Sequence, residues 1–168
     1  MVQKLPLHEG YIFARNGFVS DDTGSPVVLF GVRKFDLFWV YLDTLFESPM
    51  GRKLIYAATD AEELILSTCA EFQIPRFFGG KKIRERLQNR WVAMGWGKLS
   101  NQNDLITMPC HDAWSVGLAL AHKEHLTQQR WTMNWNQRSS DHVDLHFEAK
   151  VASLASVQIP RPLNWGTA

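Results

Sequence analysis

In residues 90–100, RWVAMGWGKLS, the hydrophobic period changes within a few positions. Ile83, Leu87, Trp91 and Met94 recur at helical spacing. Beyond Gly97 the chain reads as extended. Gly95 suits the left-handed residue that stops a helix, and Gly97 suits a strand that another backbone approaches closely. Such a junction demands a helix that delivers a strand directly into a sheet.

The other segments fill in the order. Asn16-Gly17 has the chemistry of a tight hairpin turn in residues 10–30, followed by the loop cluster Gly24-Ser25-Pro26. Residues 33–47 read as an amphipathic helix with Phe35, Phe38, Trp39, Leu42, Leu45 and Phe46 on one broad face, ended by Pro49. Two readings fit residues 50–72: a short strand and then a helix capped at Thr59 or Asp60, or one long helix. Leu54, Ala58, Ala61, Ile65, Thr68 and Phe72 keep a single register, which favours the long helix. Residues 79–94 form a third helix, 95–109 two strands about a polar turn, and 112–127 a fourth helix with Asp112 as its N-cap. Residues 130–137 and 142–151 alternate as a closing hairpin. The predicted fold is α+β, an antiparallel sheet packed against about four helices. The predicted domain spans 1–152, with an extended tail over 153–168.

Composition narrows the function. A chain of 168 residues is long enough to bury a core without metals or disulfides. A net charge of +1 supplies no field to recruit nucleic acid, and no apolar run is long enough to span a membrane. Cys69 and Cys110 have no metal-ligand spacing. With no signal-type N-terminus, this predicts a cytoplasmic, bacterial-type protein. Seven Trp and ten Phe are many for the length. Each carries ~150–250 Å² that must be buried or must line something.

Four constellations carry chemistry. Cys110, His111 and Asp112 precede a helix, where a thiol pKa can be lowered; sequence neighbours diverge in direction, so a structural role is favoured. His122 and His125 are three apart on that helix, His125 on its apolar arc and His122 at its edge. Without a third ligand nearby they read as the helix's polar end. His142, Asp144 and His146 share a strand face, read as solvated, because i and i+4 are too far apart for one ion. Lys82, Arg86 and Arg90 form a basic column, read as a solvated face or an anion or partner contact, and the basic residues in the first turn of that helix oppose its macrodipole. No metal is predicted, and no cofactor is indicated.

The stretches GRKLIYAATDAEELI, GWGKL, ITMPCHDAWSVGLALAHKEHL and HVDLHFEAK resemble the long helix, Gly-Trp-Gly junction, cysteine-containing link with small-residue helix, and closing strand of the 4-vinyl reductase domain family. The resemblance covers roughly residues 10–150 and implies a small-molecule-binding domain. Members often carry a zinc-binding cysteine pair in the last hairpin. Leu145 and about Gln137 stand at those places here, so no metal is implied. WVAMGWGKL also resembles a component of the bacterial cellulose synthase complex, which implies an assembly role.

The leading expectation is a non-catalytic binding, sensor or carrier domain for a largely apolar ligand, acting as a homodimer. Its predicted ligand residues are Phe35, Phe38, Trp39, Trp91, Trp96, Cys110, His111, Trp114 and His125. The alternatives are a structural component of a larger assembly, with Trp135, Trp165 and the tail at interfaces, and a Cys110-dependent enzyme.

Overall fold

The computed structural model describes residues 11–21, 26–75 and 80–153. The fold is α+β. A hairpin of β1 (Tyr11–Phe13) and β2 (Val19–Asp21) precedes α1 (Val32–Phe46), α2 (Gly51–Thr68) and α3 (Gly80–Ala93). Then come β3 (Lys98–Leu99), β4 (Leu105–Thr107), α4 (Asp112–Thr127), β5 (Gln129–Ser139) and β6 (His142–Ser153). The last four strands make one antiparallel sheet in the order β3-β4-β6-β5. The Gly24-Ser25 loop, the 154–168 tail and Trp165 lie outside the described residues.

The junction at Gly95 follows from backbone chemistry. Trp96 N–H donates to the Trp91 carbonyl (3.1 Å) and Gly95 N–H to the Val92 carbonyl (3.2 Å). This pair of bonds, with Gly95 at φ +69, is a Schellman motif. Gly97 sits at φ +105, and a Cβ there would lie 2.6 Å from the Met108 carbonyl oxygen. A Gly95→Ala protein should lose about 1–2 kcal/mol, the left-handed penalty alone, because nothing lies within 4 Å of that Cβ. Gly97→Ala should lose more, since it adds a clash with rigid backbone. Denaturant midpoints of the two variants check the ranking.

Helix α2 is a single helix through Asp60, but it ends at Thr68 rather than running to Phe72. Ser67 Oγ and Thr68 Oγ1 donate to the Leu64 carbonyl, and Gln73 Nε2 caps the Ser67 carbonyl. These side chains satisfy the last turn, Cys69 turns extended, and Ala70–Phe72 form a 3₁₀ turn. Its buried stripe is Leu54, Ile55, Ala58, Thr59, Glu62 and Leu66. Ala61, expected inside, is exposed, and the buried position beside it holds a carboxylate.

Helix α4 is buried almost throughout from Ala113 to His122. It crosses α2 where Gly117 lacks a side chain, so close that a Cβ there would meet the Ile55 carbonyl oxygen at 2.4 Å. Thr59 Oγ1 lies within hydrogen-bond distance of both the Ile55 and Gly117 carbonyls and stitches the crossing. On the sheet side, Leu99, Ile106, Val143 and Leu145 join Val116, Leu118 and Ala119 in the main core. Leu66, Phe72, Ile83, Leu87 and Ala121 form a second cluster.

Helix α1 departs most from expectation. None of its residues is buried. Phe35, Trp39 and Leu42 are half-buried, but Phe38, Leu45 and Phe46 of the expected buried face are exposed. The helix carries apolar residues on a second side as well, including Leu37, Val40 and Tyr41. Its covered stripe is therefore narrower than the sequence face.

Candidate functional site

The inner side of α1 rests on an aromatic cluster. Phe35 meets His111 and Trp114 edge-on, with ring centroids 5.6 and 5.9 Å apart. Trp39 stands against Phe35, Phe38 and His111. His111 is placed by its own backbone role. It is the N-cap of α4, and its Nδ1 accepts from Trp114 N–H. The cap expected at Asp112 is thus one residue earlier, and Asp112 occupies the first helical turn, where its charge complements the dipole.

A cleft opens on each side of this docking line. The first, about 670 Å³, lies between α1, residues 27–32 and the Gly95–Trp96 junction. Phe35, Phe38, Met94, Trp96 and Trp114 line it, and among the described residues Tyr11 and Cys110 bring a hydroxyl and a thiol to its wall. The Tyr11 hydroxyl donates to the Ala93 carbonyl, tying the first hairpin to the end of α3. The second cleft, about 490 Å³, is polar at one end: Asp36, Asp43, His111 and Asp112 face Trp39 and Trp135. Trp39 Nε1–H is buried there without a hydrogen-bond partner among the described residues. Val32 and Cys110 line both clefts.

The surroundings of Cys110 oppose ionisation of its thiol. Burial pushes its thiol pKa up, and the nearby Asp36 charge adds to this, outweighing the Ser115 and backbone hydrogen bonds. Burial likewise raises Asp112, again with Asp36 adding and His111 opposing. The arrangement disfavours the thiolate that a Cys-dependent reaction would use. Among the described residues no cluster of three His, Cys, Asp or Glu is arranged to hold a metal ion.

Seven of the nine expected ligand residues thus gather around the two clefts, and Trp91 and His125 do not. His125 Nε2 donates to the Phe72 carbonyl at 2.8 Å, between α4 and the 3₁₀ turn. Trp91 is fully buried and donates from Nε1 to His122 Nδ1 at 3.0 Å. An indole can only donate, so this bond leaves the imidazole proton on Nε2, which faces Glu62 Oε1 at 2.9 Å. Arg90 closes the network on both Glu62 oxygens at 3.2 and 3.3 Å, and its guanidinium lies 5.0 Å from the Trp96 ring centroid. Burial alone would raise the Glu62 pKa, but His122 and Arg90 outweigh it and hold the carboxyl below its ordinary 4.5.

The basic column is therefore split. Arg90 turns inward, Arg86 donates to the Glu71 carbonyl, and Lys82 is exposed. His122 is a core residue rather than part of a polar helix end. A second charged knot joins α2, α4 and β5: Arg130 bridges Glu63 and Glu124, and Glu124 Oε1 accepts from Trp131 N–H at 2.8 Å. Neither network lines either of these two clefts. They pin the helices, and the first supports Trp96 from behind.

Sequence reasoning missed the wall formed by residues 27–30. Its signal was present as the uninterrupted apolar run Val27-Val28-Leu29-Phe30 before Gly31. No protein-family model, curated protein or solved structure matches the chain.

Proposed function

We propose that the protein is a non-catalytic, cytoplasmic binding domain, a sensor or carrier, for a small and largely apolar molecule held in the larger cleft. The observation that carries this reading is the cleft itself. Its volume of about 670 Å³ and its aromatic and aliphatic wall are those of small-molecule sites, which span ~300–1,000 Å³. The resemblance to 4-vinyl reductase domains points the same way. Tyr11 and Cys110 are the side chains that would orient a polar end of the ligand. The second reading, a structural component of a larger assembly of the cellulose synthase kind, is favoured by the exposed apolar side of α1.

The thiol at the cleft floor supplies the assay. Iodoacetamide should alkylate Cys110 more slowly in the folded than in the urea-unfolded protein at pH 7, because the raised pKa and burial both reduce reactive thiolate. A panel of apolar compounds screened by thermal shift should contain members that raise the melting temperature and further protect Cys110, with peptide mapping to separate it from Cys69. Ligand at ~100 times its Kd stabilises by about 2.7 kcal/mol. Trp114→Leu should weaken that shift. If no compound stabilises the protein or protects Cys110, and native mass spectrometry finds no copurified molecule, the reading fails.

A further inference from the structure

The two clefts share a wall. Val32, at the start of α1, and Cys110, just before α4, line both, so the clefts meet at these two side chains. Their chemistry differs. Among the described residues no charged side chain lines the larger cleft. The smaller one holds Asp36, Asp43 and Asp112 with the indoles of Trp39 and Trp135. Asp36 lies one helical turn beyond Val32, about 5.4 Å along the axis, and its charge is felt at the Cys110 thiol.

Hydrogen-bond polarity limits what the meeting point can hold. Ser115 Oγ donates to the Trp96 carbonyl at 3.2 Å. A hydroxyl has one hydrogen, so in the 3.6 Å contact between Cys110 Sγ and Ser115 Oγ the thiol is the donor. The sulfur keeps its lone pairs for the cleft. The Tyr11 hydroxyl likewise spends its hydrogen on the Ala93 carbonyl. Both groups therefore act as acceptors, and the polar end of a ligand placed against them must donate.

Charge narrows this further. Asp43 accepts from Met50 N–H at 2.7 Å. Among the described residues Asp36 and Asp112 pair with no Lys or Arg. Burial raises the proton affinity of Asp112, and the Asp36 charge adds to it. His111 opposes this, but its Nδ1 accepts from Trp114 N–H, which a protonated imidazole cannot do. Two carboxylates held near each other without a base are stabilised by a cation that enters between them. No three His, Cys, Asp or Glu among the described residues are arranged for a metal ion. An ammonium group needs only acceptors around it, and aromatic walls such as Trp39 and Trp135 attract cations.

We propose that the ligand is an apolar amine. Its hydrocarbon body fills the larger cleft, and its ammonium group stands at the Val32–Cys110 meeting point, donating to the Cys110 sulfur and facing Asp36 and Asp112. The two clefts are then one site: the aromatic wall reads shape and the carboxylates read charge. A carboxylate on the same skeleton is repelled at that point. This assignment rests on the ligand-binding reading and narrows it.

The test runs each apolar skeleton of the thermal-shift panel at pH 7 as a matched primary amine, alcohol and carboxylic acid. Phenylbutylamine, phenylbutanol and phenylbutyrate are one such set. The amines should bind about tenfold more tightly than their alcohols, the size of one charge-assisted hydrogen bond, and the acids more weakly than either. Asp36→Asn, shown to be folded by circular dichroism, should bring the ratio of amine to alcohol affinity down toward one. Asp112→Asn should lower the ratio too. Asp60→Asn, at an exposed position of α2 outside both clefts, should leave it unchanged. Acids that stabilise the protein and protect Cys110 as well as amines do would leave the ligand reading standing and overturn the amine assignment. An amine preference that survives both Asp36→Asn and Asp112→Asn overturns it as well, because the cation then binds elsewhere. A panel in which no compound of any charge stabilises the protein removes both.

Discussion

A Glu62→Ala protein should be less stable than wild type by about 3–5 kcal/mol, the usual cost of removing one partner from a buried charged cluster. Glu62 is 2% exposed and joins three helices: its own α2, α3 through Arg90, and α4 through His122. Its removal leaves the His122 Nε2–H without an acceptor in the core. Arg90, less deeply buried, can turn toward water. Glu62→Gln should cost less, because the amide oxygen still accepts from His122 while the ion pair with Arg90 is lost. Urea unfolding midpoints measure both. If Glu62→Ala is as stable as wild type, the network does not hold the helices together.

The same carboxylate makes a specific pH prediction. Its folded-state pKa lies below the ordinary 4.5, so the unfolded chain takes up the proton first. The Glu62 contribution is therefore complete above about pH 4.5 and is lost as the pH falls through the folded-state value. Glu63, which burial raises with Glu124 adding, against Arg130, acts in the opposite sense. His125, lowered mainly by burial, begins to cost stability already as the pH falls below its ordinary 6.5. Subtracting the stability profile of Glu62→Gln from that of wild type isolates the Glu62 component. That difference should shrink below pH 4.5 and stay level between pH 5 and 7.

Gly117→Val should cost at least the ~1–3 kcal/mol typical of overpacking a tight core. A Cβ would stand 2.4 Å from the Ile55 carbonyl oxygen and 2.8 Å from Ala58 Cβ. The first of these is the backbone of a hydrogen-bonded helix, so it cannot swing away as a side chain would. Gly117→Ala isolates the first methyl. In an open helix Gly→Ala gains about 1 kcal/mol. Here the overlap should exceed that gain and reverse the sign, and separating α2 from α4 would also stretch the Thr59 bridge. Thermal melts decide it: an alanine variant more stable than wild type would mean the crossing opens without cost.

Much of the fold was legible in the chain. The helix-to-strand junction at Gly95, the hairpin at Asn16-Gly17, the four helices and the closing hairpin all follow from signals confined to a few neighbouring residues. The grouping of Phe35, Trp39, Trp96, Cys110 and Trp114 was legible as well, because large aromatics on successive elements have few places to go. Other features were not. Ala61 and Glu62 are adjacent, and only the crossing partners of α2 determine which of them turns inward. Glu62 is buried because His122, 60 residues away, and Arg90 meet it there. The cap of α4 falls on His111 because its extended backbone brings Nδ1 to the Trp114 N–H.

Period and turn chemistry, read from the sequence by itself, were enough to determine the order and type of the elements, because those forces act within a turn of helix or a pair of strands. The tertiary structure alone decided which apolar surfaces are covered. A helical stripe states that a side avoids water, not what meets it, and α1 carries more apolar surface than the body of the protein covers. The clefts beside it, the buried His122 and the exposed Tyr41 all come from how the helices and sheet dock. Docking depends on contacts between residues far apart in the chain, which no local period records.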